Sequence, residues 1–295
     1  MSNGGFRLLI STAALAATTI AAAPPPPPAE VTPVAAAPST VRRAPAVTAR
    51  AAYLVDVSAG TVHYSKQATR RMPVASLAKV MTAYVVLREG GLGDVVTITS
   101  ADVRHALSNG ATTAALRKGE RFTVRDLLYA LMLPSGADAA HALARRYGPG
   151  DRAFAAKMNA AARSLGLRDT RYTNADGLPS PAQGGHSTAA DQVRLAATAL
   201  RDPVLRQISA TRRHTVRRTS VHGAHTWRNT NELLGSTRGA LGVKTGYTRA
   251  ARYCLLFAAE RDGRLLVGAV LGDTQASRRF TTARTLLEYA SEPLL

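Results

Sequence analysis

The stretch "VASLAKVMTAYVV", residues 74–86, sets Ser76 three residues before Lys79 at the head of an apolar run. The lysine is conspicuous because this chain writes its basic residues as arginine. Of 38 basic residues, only Lys66, Lys79, Lys118, Lys157 and Lys244 are lysines. Arginine stays protonated in any folded protein, whereas lysine gives up its proton when burial and neighbours depress its pKa. A lysine here suggests an amine that acts as a base, with a solvated helix residue as the plain alternative. Val80, Met81, Tyr84 and Leu87 recur at helical spacing and predict a helix from Ser76 to Arg88, stopped by Gly90-Gly91. Residues three apart share a helix face, so the amine reaches the hydroxyl. Ser76 near the helix N-terminus lies among unpaired N–H groups at the positive end of the dipole. That field stabilises an alkoxide-like nucleophile and disfavours protonated Lys79.

Strand patterns lie on both sides of this helix. "AAYLVDVSAGTVHYS" reads as a β-hairpin turning at Ser58-Ala59-Gly60. Near residue 240 the strands return as "GALGVKTGYT", "RYCLLFAAE" and "RLLVGAVLGD", the last two separated by Arg261-Asp262-Gly263, and a helix over 277–289 follows. The middle is predominantly helical: "VRDLLYALML", "GADAAHALARRY", "RAFAAKMNAAARSLG" and "TAADQVRLAATAL", the last with Thr188 as N-cap and Asp191 three residues on. The expected fold class is α/β (α+β). Its antiparallel sheet is built from both chain ends and flanked by helices, with an inserted, mainly helical subdomain at roughly 90–238 and a cleft between the parts.

Residues 1–23 read as a signal peptide or N-terminal anchor: Arg7 precedes an uncharged, mostly apolar run from Leu8 to Ala23. Residues 24–49, Pro- and Ala-rich, read as a disordered linker, and residues 50–295 as the catalytic domain. Cys254 is the single cysteine, which excludes an intramolecular disulfide and is expected to be buried. The net charge of +19 favours anionic partners, wall polymers or a membrane surface, while no nucleic-acid motif is present. The oligomeric state is unknown from sequence.

Two further motifs follow Ser76-x-x-Lys79 in order. "LPSGADAA" places Ser135 on a turn before a helix, and "GVKTGYT" places Lys244-Thr245-Gly246 on a strand. With these three motifs, and with intervening text such as "ERFTVRDLLYALMLPSG", "TNADGL" and "NTNELLG", the chain resembles low-molecular-mass penicillin-binding proteins of the D-alanyl-D-alanine carboxypeptidase type. The resemblance runs from about Tyr53 to Tyr289 and implies the β-lactamase/penicillin-binding-protein transpeptidase-like fold. It implies that Ser76 attacks the D-Ala-D-Ala carbonyl of peptidoglycan stem peptides, that Lys79 takes its proton, and that Ser135 relays a proton to the leaving amine. Lys244 would keep Lys79 neutral and, with Thr245, hold the substrate carboxylate. Gly246 would let the strand edge approach the substrate, and the N–H groups of Ser76 and Tyr247 would form the oxyanion hole. Arg279 matches a position that binds the terminal carboxylate; a surface arginine is its alternative. β-Lactams would be covalent inhibitors, and no cofactor or metal is expected.

Two positions depart from the family pattern: Ala137 replaces the Asn of Ser-x-Asn, and Arg252 stands where glycine is usual. Hydrolysis and DD-transpeptidation remain open as the fate of the acyl-enzyme. A class A β-lactamase would need a glutamate-activated water, and no glutamate lies between Glu120 and Glu232. A non-catalytic basic wall-binding protein is the alternative from another class. His222 and His225 form His-x-x-His in "VHGAHTW"; the stretch reads as hairpin or loop, its histidines as exposed, with no carboxylate or cysteine close by. His63, His105, His141, His186 and His214 show no ligand spacing.

Overall fold

A computed structural model describes residue 1, residues 43–179 and residues 184–291. The signal or anchor expected over 1–23 and most of the linker expected over 24–49 lie outside the described residues, residue 1 apart. Packing begins before Arg50: Val47 and Ala49 are buried in the core beside Leu54 and Leu287.

The hairpin expected at the start is present as β1 (Ala51–Asp56) and β2 (Thr61–Lys66). A 3-10 turn over Ala75–Leu77 leads into α1 (Ala78–Glu89), followed by β3 (Val95–Thr97) and α2 (Ser100–Ser108). Next come β4 (Arg121–Thr123), α3 (Val124–Met132), α4 (Ala137–Tyr147) and α5 (Asp151–Ser164). After α6 (Ala189–Ala199) and α7 (Pro203–Ala210) come a short ribbon, β5 (Arg213–Val216) and β6 (His225–Arg228). The chain then forms β7 (Ala240–Thr248), β8 (Arg252–Arg261), β9 (Arg264–Asp273) and α8 (Arg278–Ser291).

The main sheet has the order β2-β1-β9-β8-β7 and is antiparallel throughout, so strands from the two ends of the domain meet at β1 and β9. Period-2 alternation sorts its side chains onto two buried faces. Leu255, Phe257 and Ala259 face a layer with Phe280, Leu286 and Leu287 of α8, while Cys254, Leu256 and Ala258 join the larger core with α1. Cys254 is fully buried, as expected.

The apolar spacing of α1 suggests one buried face, but the helix is buried all round from Ala78 to Val86. It is the central helix, contacting α3, α4, α5 and α6. Thr188 caps α6 as expected, its side chain accepting from Asp191 N at 3.0 Å. The helix α6 packs on β1 and β9, so the helical interval is partly laid against the sheet.

The His-x-x-His stretch belongs to a hairpin, one of the two forms expected of it, but its histidines are not exposed. His225 lies on β6, buried, with Nε2 2.9 Å from Glu120 Oε1, and His222 stacks on Phe122 at 4.8 Å. The carboxylate arrives from 105 residues earlier in the chain, which local spacing does not reveal.

Candidate active site

Ser76 sits in the turn just before α1, and Lys79 one turn later inside it. Lys79 is 2% exposed, and its Nζ donates to Ser76 Oγ at 3.1 Å and to the backbone carbonyl of Asp176 at 3.0 Å. Burial pushes the Lys79 amine down, and the Asp176 and Asp138 carboxylates only partly pull it back, so its pKa lies below the ordinary lysine value. The turn is strained, with Ala75 at φ +51°. Gly177 makes that turn possible: at φ +79°, a Cβ there would lie within van der Waals overlap of the Ala75 carbonyl oxygen. The loop carrying Gly177 is gripped by α1, through Lys79 and through Thr82 Oγ1 donating to Ala175 O at 2.6 Å.

Ser135 ends the connection between α3 and α4 at φ +69°. Its hydroxyl oxygen is buried without a hydrogen-bond partner among the described residues, an unusual state for a polar group. The following residues are fixed by the segment opposite: Ala137 N donates to Thr112 O at 2.8 Å, and Asp138 accepts from Thr113 Oγ1, Ala114 N and Leu116 N. Ala137 is fully buried, and a methyl stands where the resemblance places an amide.

The third wall is β7, the edge strand of the sheet. Lys244 is 1% exposed, and its Nζ donates to Thr245 O at 3.1 Å. Burial, then the neighbouring Lys79 amine and Arg279, push its pKa well below the ordinary lysine value. Two buried amines in one cleft disfavour each other's protons, so the proton count belongs to the pair. Thr245 Oγ1 lies 2.6 Å from Thr230 Oγ1. Gly246 lets the strand edge close on the serine: a Cβ there would stand 3.0 Å from Val74 O and 3.2 Å from Ser76 N. Tyr247 is half exposed at the mouth and packs on Tyr253. Arg279 is no free surface arginine. It lines the cleft, lies over the Tyr253 and Phe280 rings, and donates from Nη1 to Gly246 O at 3.1 Å.

Ser76, Lys79, Ser135, Thr245, Gly246, Tyr247 and Arg279 line one cleft of about 680 Å³, with buried Lys244 beside them. Seven of the eight site residues expected from the sequence therefore line this cleft, and the eighth, Lys244, is buried next to Lys79. The second departure, Arg252, adopts φ +60°, a left-handed conformation that suits the glycine expected at that position.

The model of the D-alanyl-D-alanine carboxypeptidase family matches residues 38–275. The chain belongs to this family. It is 39% identical over 266 residues to the D-alanyl-D-alanine carboxypeptidase of Streptomyces sp. strain K15, covering 86% of this chain and 91% of that protein. It is 31% identical over 246 residues to the D-alanyl-D-alanine carboxypeptidase DacF of Bacillus subtilis strain 168, covering 82% of this chain and 62% of that protein. The crystal structure of the Streptomyces K15 DD-transpeptidase superposes with a TM-score of 0.80 at 39% identity, covering 84% of this chain and 98% of that one. The fold is accordingly that of the penicillin-binding proteins, with its antiparallel sheet flanked by helices. Asp176, Gly177 and Thr230 were not singled out, because "TNADGL" and "NTNELLG" carry no chemistry of their own until the chain folds them against Lys79, Ala75 and Thr245.

Proposed function

We propose that the protein is a serine-type D-Ala-D-Ala carboxypeptidase that acts through Ser76. The observation that carries this reading is the 3.1 Å contact between Ser76 Oγ and the buried Lys79 amine, whose pKa burial lowers. Neutral Lys79 takes the Ser76 proton as Oγ attacks the carbonyl carbon of the penultimate D-alanine. The N–H groups of Ser76 and Tyr247 hold the oxyanion. The proton passes from Lys79 through Ser135 to the leaving nitrogen, the C–N bond breaks, and free D-alanine departs. Water then attacks the acyl carbon as Lys79 takes its proton; the ester C–O bond to Ser76 breaks, Lys79 returns the proton to Ser76 Oγ, and the shortened peptide leaves. Ser135 is suited to a relay because its buried oxygen has no hydrogen-bond partner among the described residues. Lys244, Thr245 and Arg279 hold the substrate carboxylate, whose negative charge draws a proton back onto depressed Lys244. Ala137 offers no amide, which leaves Ser76 Oγ and Asp176 O as acceptors for Lys79.

Fluorescent penicillin labelling of the full chain, with mass mapping and Ser76→Ala beside it, tests this assignment. A stable adduct on Ser76, absent in the variant, is expected. Intact β-lactam with no adduct would sink it in favour of a non-catalytic wall-binding protein, and rapid β-lactam loss would favour a lactamase.

Transpeptidation is a second reading, favoured by the likeness to the Streptomyces K15 DD-transpeptidase. Product analysis with and without an added amine acceptor separates the two, since hydrolysis yields only the shortened peptide. The same reading places the protein outside the cytoplasm, on the strength of Arg7 and the Leu8–Ala23 run. Among the described residues no helix is long and apolar enough to cross a membrane. Its positive charge suits anionic wall polymers as partners.

A further inference from the structure

Two histidines behind the cleft are arranged as metal ligands are. His105 on α2 and His141 on α4 stack with ring centroids 4.6 Å apart. Each ring has one nitrogen committed to a buried carboxylate. His105 Nε2 lies 2.6 Å from Asp176 Oδ2, and His141 Nδ1 lies 2.7 Å from Asp102 Oδ1. Those carboxylates are themselves fixed, Asp176 by Leu178 N and Asp102 by Thr99 and Arg145. A neutral imidazole that donates its N–H to a carboxylate presents a lone pair at the other nitrogen, with its tautomer and orientation set. Asp151, the first residue of α5, brings a third carboxylate. One donor atom from each of His105, His141 and Asp151 lies within 4.8 Å of the other two.

We infer that His105, His141 and Asp151 form a binding site for a divalent transition-metal ion of the zinc class. Two imidazole nitrogens and one carboxylate oxygen are a donor set that zinc accepts, with a fourth position left to water. A tetrahedral ion with bonds of about 2.0–2.1 Å holds its donors about 3.3 Å apart. From a separation of at most 4.8 Å, that spacing asks the donors to close by about 1.5 Å or less. Local charge favours the ion despite the net charge of +19. Asp102, Asp151 and Asp176 surround it, against Arg145 on Asp102 and Lys79 beyond Asp176. The two histidine side chains keep 20% and 19% of their surface exposed, which gives an ion access from solvent. The site is also joined to the cleft through one residue: Asp176 holds His105 with its carboxylate and Lys79 with its backbone carbonyl. An ion on His105 pins the loop that orients Lys79.

The test uses the untagged full chain, stripped with chelator and titrated with Co²⁺ in the visible range, then with competing Zn²⁺ and by thermal melting. One equivalent of Co²⁺ is expected to give the d–d bands of a low-coordinate site, Zn²⁺ to displace it, and Zn²⁺ to raise the melting temperature. His141→Gln and Asp151→Asn are each expected to weaken Zn²⁺ binding at least tenfold, while His222→Gln, outside the cluster, leaves it unchanged. Circular dichroism checks that each variant is folded; should His141→Gln fail to fold, Asp151→Asn at the start of α5 decides. No saturable binding by the wild-type chain, or wild-type affinity in Asp151→Asn, overturns the site.

Discussion

At the scale of single residues, the preference for lysine at position 79 is a statement about protons. Lys79→Arg preserves a cation and a hydrogen-bond donor next to Ser76 but removes a group able to become neutral. Its rate of acylation by a β-lactam is expected to fall by roughly 10²–10⁴-fold, the usual worth of a general base, while thermal melting stays closer to wild type. The pH profile follows with its sign fixed. Only neutral Lys79 accepts the serine proton, so acylation rises as pH increases through the amine's titration, and burial places that rise below the ordinary lysine value of 10.5. A rise with the same midpoint in Lys79→Arg would exclude Lys79 as the group that titrates. Ser76 and Lys79 were legible from sequence because both belong to one turn of helix, where spacing alone makes them neighbours. Their supports were not. Asp176 accepts from Lys79 across 97 positions, and Thr230 reaches Thr245 from a different segment.

At the scale of elements, the turn before α1 depends on a loop that only glycine permits. Gly177→Ala places a Cβ into the Ala75 carbonyl and forces a left-handed φ on alanine. Destabilisation of more than about 1 kcal/mol is expected, with penicillin labelling lost more steeply than melting temperature because Ser76 moves with Ala75. Equal labelling rates in the two proteins would show that the turn holds without the glycine. The β5–β6 ribbon is anchored differently, through Glu120. Burial pushes the Glu120 carboxyl up, but bonds from His225 and from the N–H groups of Gly223 and Arg117 outweigh it, and the net pKa is below 4.5. A carboxyl depressed in the folded state contributes stability that is fully present above its unfolded pKa and lost as pH falls through the folded value. Glu120→Gln is therefore expected to cost about 1–2 kcal/mol near neutrality and progressively less below pH 4.5; a gap in melting temperature that stays constant into acid would refute the charged bond. The long strands and capped helices were readable from alternation and from pairs such as Thr188 and Asp191. The ribbon was legible only as a hairpin or loop around "VHGAHTW", since its four-residue strands carry too little pattern and its buried partner is remote.

At the scale of the whole molecule, a charge of +19 is a surface property that the catalytic cleft does not use up. Part of it is gathered: Arg163, Arg168 and Arg171 border one surface hollow, and Arg212, Arg213 and Arg228 another. Clustered guanidinium groups focus positive potential and pair bidentately with phosphate-like oxygens, whereas the same charges spread evenly would give only weak attraction. The fold itself was legible at this scale because the strand patterns sit at the two ends of the domain and the helical ones between, which leaves few ways to close one sheet. The clusters were not, because Arg163 and Arg171 lie on different segments and only packing sets them side by side. Binding of inorganic polyphosphate, a plain stand-in for an anionic wall polymer, is expected to weaken steeply as salt rises and the Debye length falls from about 10 Å at 0.1 M towards 3 Å at 1 M. Replacing Arg163, Arg168 and Arg171 together by glutamine removes three of the nineteen excess charges. If the gathered charge matters, polyphosphate affinity drops by more than the loss from three scattered arginines replaced elsewhere, with Ser76 labelling unchanged. Equal losses from the two triple variants would mean that the net charge acts diffusely, and that the hollow is no more than a place where arginines happen to meet.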